Sequence, residues 1–146
     1  MFRDMSKAEA EAFLRRHFVG RVAYSFRDSV DIRPLHYAWR KGWLFGRTSI
    51  GDKLVTLRHN QWVAFEVDEV DGPFDWRSVV VRGSFYRLSP KGSIYDVKLY
   101  RRAMRAIRGT ARTSFTDNDR VPFRSEIFGI SIDNLTGRSS STAGSG

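Results

Sequence analysis

Apolar and polar residues alternate along most of the chain, as expected for strands with one face on a core. The alternation predicts six β-strands, at residues 21–26, 30–39, 43–45, 62–67, 77–88 and 126–132. A helix is predicted over residues 7–17, where Ser6 and Glu9 have capping-box spacing ahead of Phe13 and Leu14. Further helices are predicted at residues 51–58 and 95–108. Because most strands follow one another directly, an antiparallel barrel or sandwich is the expected closure.

Two polar segments interrupt or end this pattern. The acidic residues 68–75 separate two long strands and are expected to form a solvated hairpin tip, since they lack the spacing of a calcium-binding EF-hand. Residues 139–146 contain only Ser, Thr, Ala and Gly, which predicts a disordered tail that is dispensable for stability. The expected organisation is a single domain over residues 1–138, followed by this tail.

The amino-acid composition excludes several classes of protein and of functional site. With 146 residues, 41% of them hydrophobic, the chain is long enough for one globular core. The absence of cysteine excludes disulfides, thiolate nucleophiles and Cys-ligated metal centres. No signal peptide and no apolar run of about 18 residues is evident, so a cytoplasmic protein without membrane attachment is expected.

A net charge of +9 suggests an anionic partner but does not identify it. The helix over residues 95–108 carries a basic face formed by Lys98, Arg101, Arg102, Arg105 and Arg108. A solvated helix face is the favoured interpretation, and attraction of an anionic substrate or a nucleic acid is the alternative. Since no helix-turn-helix or RNA-binding aromatic motif is present, nucleic acid is not an expected partner.

Most catalytic signatures are missing. The sequence has no Walker A loop, no Gly-x-Ser-x-Gly and no His-Glu-x-x-His. Its three histidines, His17, His36 and His59, do not have metal-ligand spacing, so no metal site is expected. Anion binding and aromatic stacking remain as the candidate chemistry.

The best candidate for anion binding is the segment around residues 33–53. Arg33, Arg47 and Lys53 supply positive charge, while Thr48 and Ser49 supply hydroxyl donors. The helix predicted from Gly51 adds unpaired backbone N–H groups. This set suits a phosphate dianion, although an ordinary turn with solvated charges fits composition alone slightly better.

Several segments carry a family resemblance. They are Gly-Arg-Val-Ala at 20–23, residues 34–37, Gly51-x-Lys53, Trp76-x-Ser78-Val79 with Gly83 five residues after Ser78, and residues 130–138. In this order they resemble the FMN-binding split β-barrel superfamily of the pyridoxamine 5'-phosphate oxidase type, especially its nitroimidazole-reductase-like branch. The resemblance implies a mostly β fold: a six-stranded antiparallel split barrel with flanking helices. It also implies a homodimer with one FMN in each of two clefts between the subunits.

The resemblance further assigns candidate roles. Arg33, Arg47, Thr48, Ser49, Gly51 and Lys53 would hold the phosphate and ribityl chain; Pro34, Leu35 and His36 would line the ring, near Trp76 and Ser78. His36 is also the candidate catalytic residue, with a half-buried structural histidine as the alternative. Asp52 departs from the basic residue that some oxidases of the superfamily carry.

The implied function is an FMN-dependent oxidoreductase acting on a small-molecule substrate. The alternatives are a non-catalytic binder of flavin, deazaflavin or a haem-type tetrapyrrole, and a basic nucleic-acid-binding barrel.

Overall fold

The computed structural model describes residues 1–49, 62–114 and 125–142. In chain order its elements are β1 (Phe2–Asp4), α1 (Lys7–Arg16), β2 (Val19–Phe26), β3 (Ser29–His36), β4 (Ala38–Arg40), β5 (Trp43–Ser49), β6 (Trp62–Gly72), β7 (Asp75–Leu88), α2 (Ile94–Ser114), β8 (Ser125–Ser131) and β9 (Asn134–Ser140). Neither described helix is long and apolar enough to cross a membrane. The helix predicted at residues 51–58, with Gly51 and Lys53, lies outside the described residues.

The strands form one antiparallel sheet that curls into a split barrel. Its order is β3-β2-β6-β7-β8-β5-β4, and β9 and β1 extend it from β7. The two ends of this order, β3 and β4, are not paired with each other in the described residues, but only Tyr37 separates them in the chain and β3 approaches β5 at His36 and Gly46, which gives a split barrel. Each of the six predicted strands overlaps an observed strand, and the split-barrel fold with two flanking helices is confirmed.

Among the described residues, two apolar clusters stabilise the barrel. The larger fills the interior, where Val22, Phe65, Val81 and Phe128 pack with residues of α1. The smaller lies beneath α2, where Phe45 and Ile127 meet the apolar face of that helix. Alternate residues of β5 therefore face different clusters, Leu44 the interior and Phe45 the helix.

Helix α1 begins and ends as the sequence predicts, to within one residue. The Ser6 side chain accepts from the Glu9 backbone N–H at 3.1 Å, and the Glu9 carboxylate accepts from the Ser6 N–H at 3.2 Å. This reciprocal capping box satisfies two of the N–H groups that a helix start leaves without partners. The helix then buries Ala10, Phe13 and Leu14 against the barrel.

The acidic segment 68–75 is not a solvated loop. Strand β6 runs to Gly72 and β7 starts at Asp75, so only Pro73 and Phe74 form the turn. The acidic side chains are accommodated in the ladder because β7 supplies partners: the Arg77 guanidinium donates to Glu69 at 2.6 Å. That contact is the main reason why the pKa of Glu69 is lowered. Cross-strand pairing thus overrides the weak strand propensity of Asp and Glu.

Two other boundaries differ from the prediction. The strand predicted at 30–39 is broken at Tyr37, whose fully buried side chain turns into the barrel. Strands β1 and β9 were not predicted, and they pair with each other in antiparallel register, Phe2 opposite Ser140.

The predicted tail starts too early. Ser139 and Ser140 belong to β9, where they pair with Arg77 and Trp76 of β7. The Ser140 hydroxyl donates to the Phe74 carbonyl at 2.8 Å, and the Thr142 hydroxyl donates to Asp75 at 2.9 Å. The placement of the tail boundary before residue 139 is therefore wrong. Residues 143–146 lie outside the described part of the chain.

We expect deletion of residues 139–146 to destabilise the protein. It removes the β9 end that pairs with both β1 and β7, together with the hydroxyl contacts to Phe74 and Asp75. At about 1 kcal/mol for each net hydrogen bond lost, the free energy of unfolding should fall by roughly 1–3 kcal/mol in urea titrations. A chain ending at Thr142 is the matched control and should keep wild-type stability. Equal stability of both truncated chains would contradict the pairing seen here.

Candidate functional site

Strands β3 and β5 bring together the two segments that the sequence singled out for anion binding. The His36 carbonyl oxygen lies 2.6 Å from the position that a Cβ atom on Gly46 would occupy. Only glycine permits so close an approach of two backbones. Residues 33–36 and 46–48 therefore lie along one seam of the barrel.

Side chains alternate between the two faces of β5, so the predicted phosphate ligands on this strand do not all lie on one face. The sequence places Arg47, Thr48 and Ser49 in a turn before a helix, but all three belong to β5. Thr48 is 6% exposed and points to the barrel interior with Leu44, whereas Arg47 lies on the Phe45 face towards α2. Arg47 and Thr48 therefore cannot both bind one small group from the same side of this strand.

Strand β3 divides its candidates in the same way. Pro34 and His36 are exposed on the outer face, whereas Leu35 is buried and Arg33 is partly buried on the inner side. The Nε atoms of Arg33 and Arg47 are both shut off from solvent. The seam thus carries one guanidinium and a buried hydroxyl on its inner side and a second guanidinium on the α2 side, and each side offers donors of the kind that bind an anionic group such as a phosphate.

Ser78 lies elsewhere, near the middle of the outer face of the sheet. Its hydroxyl donates to Glu66 Oε2 at 2.9 Å. Arg21 reaches the same cluster, with its NH1 atom 3.4 Å from Glu66 Oε1 and 3.6 Å from Asp68 Oδ1. Burial raises the pKa of Glu66, and a hydrogen bond with the Asp68 carboxyl raises it further.

This polar cluster was not predicted from the sequence. Arg21, Glu66 and Asp68 occupy outward positions of β2 and β6, and the register places Arg21 opposite Glu66 and Asp68 opposite Ser78. Charged residues within otherwise apolar strands were the available signal. Their partners depend on register, which local sequence does not reveal.

Trp76 also lies on the outer part of β7, partly buried, with its ring 5.9 Å from that of Phe2. The predicted residues thus fall into two groups on one chain. One group lines the β3–β5 seam, and the other, Trp76 and Ser78, lies on β7, with β2 and β6 between β7 and β3.

An exposed apolar surface adjoins these groups. Val30 and Ile32 are 78% and 66% exposed on β3, and Trp62 is 53% exposed on β6. With Ala23 and Ala64 between them, they form the "outer apolar face", and Val30 and Trp62 line a groove of about 190 Å³. A surface of this kind marks an interaction site more often than a solvated face.

Comparison with solved structures agrees with this architecture. A FAD-binding protein from Mesorhizobium loti is 26% identical, with a TM-score of 0.76, and the match covers 97% of this chain and 99% of that one. A proposed 5-nitroimidazole antibiotic resistance protein from Bacteroides thetaiotaomicron is 16% identical with a TM-score of 0.67, over 94% and 88% of the two chains. The FAD and heme binding protein from Mycobacterium smegmatis is 16% identical with a TM-score of 0.65, over 94% and 73%.

No curated protein matches the chain. A family model described as pyridoxamine 5'-phosphate oxidase, in contrast, matches residues 6–139, which is nearly the whole chain. That span starts at the capping box of α1 and ends within β9, so it includes strands β2 to β8, most of β9 and both groups of candidate residues. The predicted family is confirmed: the chain belongs to the pyridoxamine 5'-phosphate oxidase family.

Proposed function

We propose that the protein is a cytoplasmic FMN-dependent oxidoreductase that acts on a small molecule, as a homodimer with its cofactor sites between subunits. The observation that carries the proposal is the β3–β5 seam, where two partly buried arginines and a buried threonine lie within a family of flavin-type split barrels. Flavin-binding neighbours of the same fold support it.

The residues at the seam suit different parts of the cofactor. Arg47, on the α2 side, would donate charge-assisted hydrogen bonds to the phosphate, and Arg33 and the Thr48 hydroxyl, on the inner side, would reach the ribityl chain. Pro34, Leu35 and His36 would flank the ring, where the buried Leu35 limits water and the exposed His36 is the candidate proton carrier. Gly51, Lys53 and Ser49 keep their predicted roles in phosphate binding, and Trp76 and Ser78 theirs at the ring.

When bound, a flavin supplies hydride exchange at its N5 atom. Fixed positive groups such as Arg33 and Arg47 would stabilise the negative charge that reduction adds, because they are already oriented and shielded from water. Low polarity around Leu35 strengthens that effect.

A second copy would complete each site. On one chain Trp76 and Ser78 are separated from β3 by two strands, so residues of a neighbouring chain could join the seam at a subunit boundary. The outer apolar face supports association, because burying Val30, Ile32 and Trp62 removes apolar area from water. Sedimentation should give about twice the 16.8 kDa chain mass. A monomer at micromolar concentration that binds flavin tightly would contradict the dimer.

Replacing Arg47 with glutamine should weaken FMN binding roughly ten- to hundredfold, since a charge-assisted hydrogen bond contributes about 1.5–3 kcal/mol. Riboflavin, which lacks the phosphate, should bind wild type and variant about equally weakly. Fluorescence-quenching titrations with FMN, FAD and riboflavin measure all three affinities. The Lys53→Ala variant should behave like Arg47→Gln.

The exposed Arg40 on the neighbouring β4 provides the control, and Arg40→Gln should bind FMN like wild type. An equal loss for FMN and riboflavin in Arg47→Gln would show that Arg47 supports the fold or the ring pocket and not the phosphate. Tighter binding of FAD than of FMN would reject FMN as the cofactor.

A non-catalytic binder of flavin, deazaflavin or tetrapyrrole is the second candidate, favoured by the structural neighbour that binds FAD and heme. Oxidation of a reduced nicotinamide by the FMN-loaded protein separates the two functions. Steady turnover with a soluble electron acceptor supports the oxidoreductase, and tight FMN binding without turnover supports the binder.

A further inference from the structure

Helix α2 presents a straight row of positive charge to solvent. Lys98, Arg101, Arg105 and Arg108 are all exposed and follow the i, i+3, i+7, i+10 spacing of one helix face. At 1.5 Å per residue the row is about 15 Å long. The opposite side of α2 is buried through Leu99, Ala103, Ala106 and Ile107.

A fifth cation extends this row. The guanidinium of Arg40, on β4, lies 3.1 Å from the position that a Cβ atom on Gly109 would occupy. The absence of a side chain at Gly109 lets Arg40 approach α2 closely. We call Arg40, Lys98, Arg101, Arg105 and Arg108 the basic stripe. Arg102 is not part of it, because its guanidinium lies 6.0 Å from the centre of the Phe45 ring.

No ion pair in the described part of the chain neutralises the charges of the basic stripe. None of the four α2 cations forms an ion pair within the part of the chain that the structure describes. The only acidic residue of α2, Asp96, accepts a hydrogen bond from the Ser93 N–H at the helix start. Like charges three and four residues apart destabilise a helix, whereas surface helices usually alternate both signs. A partner that neutralises the row would remove this repulsion.

We propose that the basic stripe binds the phosphate backbone of a nucleic-acid duplex without reading its sequence. Arginine predominates in the stripe, and its planar fork matches phosphate oxygens better than the ammonium group of lysine does. The sequence argued against nucleic acid because no recognition motif is present. Backbone binding needs no such motif, since phosphate contacts position a protein but carry no sequence information.

Two features favour a duplex over other polyanions. Tyr95 is the only exposed aromatic residue in the described part of α2, whereas a single strand is usually held by a series of stacked aromatic rings. The apolar face of α2 is committed to the barrel, so the helix cannot place it in a lipid bilayer as an amphipathic membrane helix does.

Salt dependence of duplex binding tests the proposal. The full-length protein is titrated into a fluorescent 20-base-pair DNA duplex between 50 and 200 mM salt. Because each neutralised phosphate contributes about 0.9 to the log–log slope, five cations predict a slope of about 4–5. The Arg101→Gln/Arg105→Gln variant should lose about 2 from this slope and bind roughly tenfold or more weakly at 50 mM salt.

Lys7→Glu is the control, because it removes the same two units of net charge from an exposed position on α1 and should leave binding within about twofold of wild type. Lys98→Gln/Arg108→Gln is a second stripe variant with the expected loss, in case the first does not fold. Several results would overturn the proposal: no binding of the duplex, unchanged binding by the stripe variants, or an equal loss in Lys7→Glu. Binding to vesicles of phosphatidylcholine and phosphatidylglycerol (7:3) in place of DNA would also overturn it, in favour of a membrane surface.

Discussion

The Gly83→Ala variant should be destabilised by more than about 3 kcal/mol, because the added methyl group has no space. A Cβ atom at Gly83 would lie 1.5 Å from the Ser131 carbonyl oxygen and 2.8 Å from its carbonyl carbon. Both are backbone atoms, so no side chain can rotate away. The strands cannot easily separate either, since the Ser84 N–H donates to Ser131 Oγ at 3.0 Å and Gly83 pairs with Val63 on β6.

Gly72→Ala is the matched control. Gly72 has no atom within 4 Å of its Cβ position, and its φ does not lie in the positive region. Its replacement should change the free energy of unfolding by less than about 1 kcal/mol, or stabilise slightly by restricting the unfolded chain. Urea titrations followed by tryptophan fluorescence compare the two variants. Similar stability of Gly83→Ala and Gly72→Ala would show that β7 and Ser131 do not cross as closely as described.

Gly83 illustrates a limit of sequence interpretation. It was noticed only as part of the segment that resembles the split-barrel superfamily, and no local property explained it. The reason lies 48 residues away, where the chain passes Ser131 just before β9 begins. A close approach between distant segments leaves no periodic signal in either of them.

The elements that could be predicted depend on local patterns. The capping box of Ser6 and Glu9 located α1, and alternation located the six main strands, because both signals lie within a few residues. The extended hairpin at Glu69 and the strand character of Ser139 and Ser140 could not be predicted. Strand partners decide those segments, and serine or acidic residues have weak preferences of their own.

The candidate site was predicted in part for the same reason. Positive charge and hydroxyl groups at residues 33 and 47–49 were evident, and β3 and β5 do lie along one seam. The sequence did not show that β5 continues to Ser49, so it gave no reason to assign Arg47 and Thr48 to opposite faces. The Glu66 cluster around Ser78 required the register of β6 and β7.

Tyr37 connects α1 to the barrel through a hydrogen bond in a fully buried site. Its hydroxyl donates to the Leu14 carbonyl at 2.7 Å, and its backbone N–H donates to the Phe18 carbonyl at 2.9 Å. The ring meets Phe65 edge-on, with centroids 5.2 Å apart. Tyr37→Phe keeps the ring but leaves the Leu14 carbonyl without this donor, which should cost about 1–3 kcal/mol at pH 7.

The stability cost of Tyr37→Phe should be smaller in alkaline solution. Burial raises the pKa of Tyr37 above its ordinary value, so the folded phenol stays neutral while the unfolded one ionises above about pH 10. Ionisation then favours the unfolded wild type by up to about 1.4 kcal/mol per pH unit, and Tyr37→Phe is free of that effect. The contribution of Tyr37 to stability is therefore complete below pH 10 and declines above it. Urea midpoints at pH 7 and pH 11 for wild type and variant measure the change.

Tyr24→Phe controls for the loss of a core tyrosine hydroxyl in itself. Tyr24 is 5% exposed in the same core, and its hydroxyl forms no hydrogen bond within the described ranges. Its replacement should cost less than about 1 kcal/mol at pH 7, because no carbonyl loses a donor. If the difference between wild type and Tyr37→Phe stays constant from pH 7 to pH 11, the Tyr37 hydroxyl is not held in its neutral form. A cost of Tyr37→Phe at pH 7 no larger than that of Tyr24→Phe would show that the bond to Leu14 does not hold α1 on the barrel.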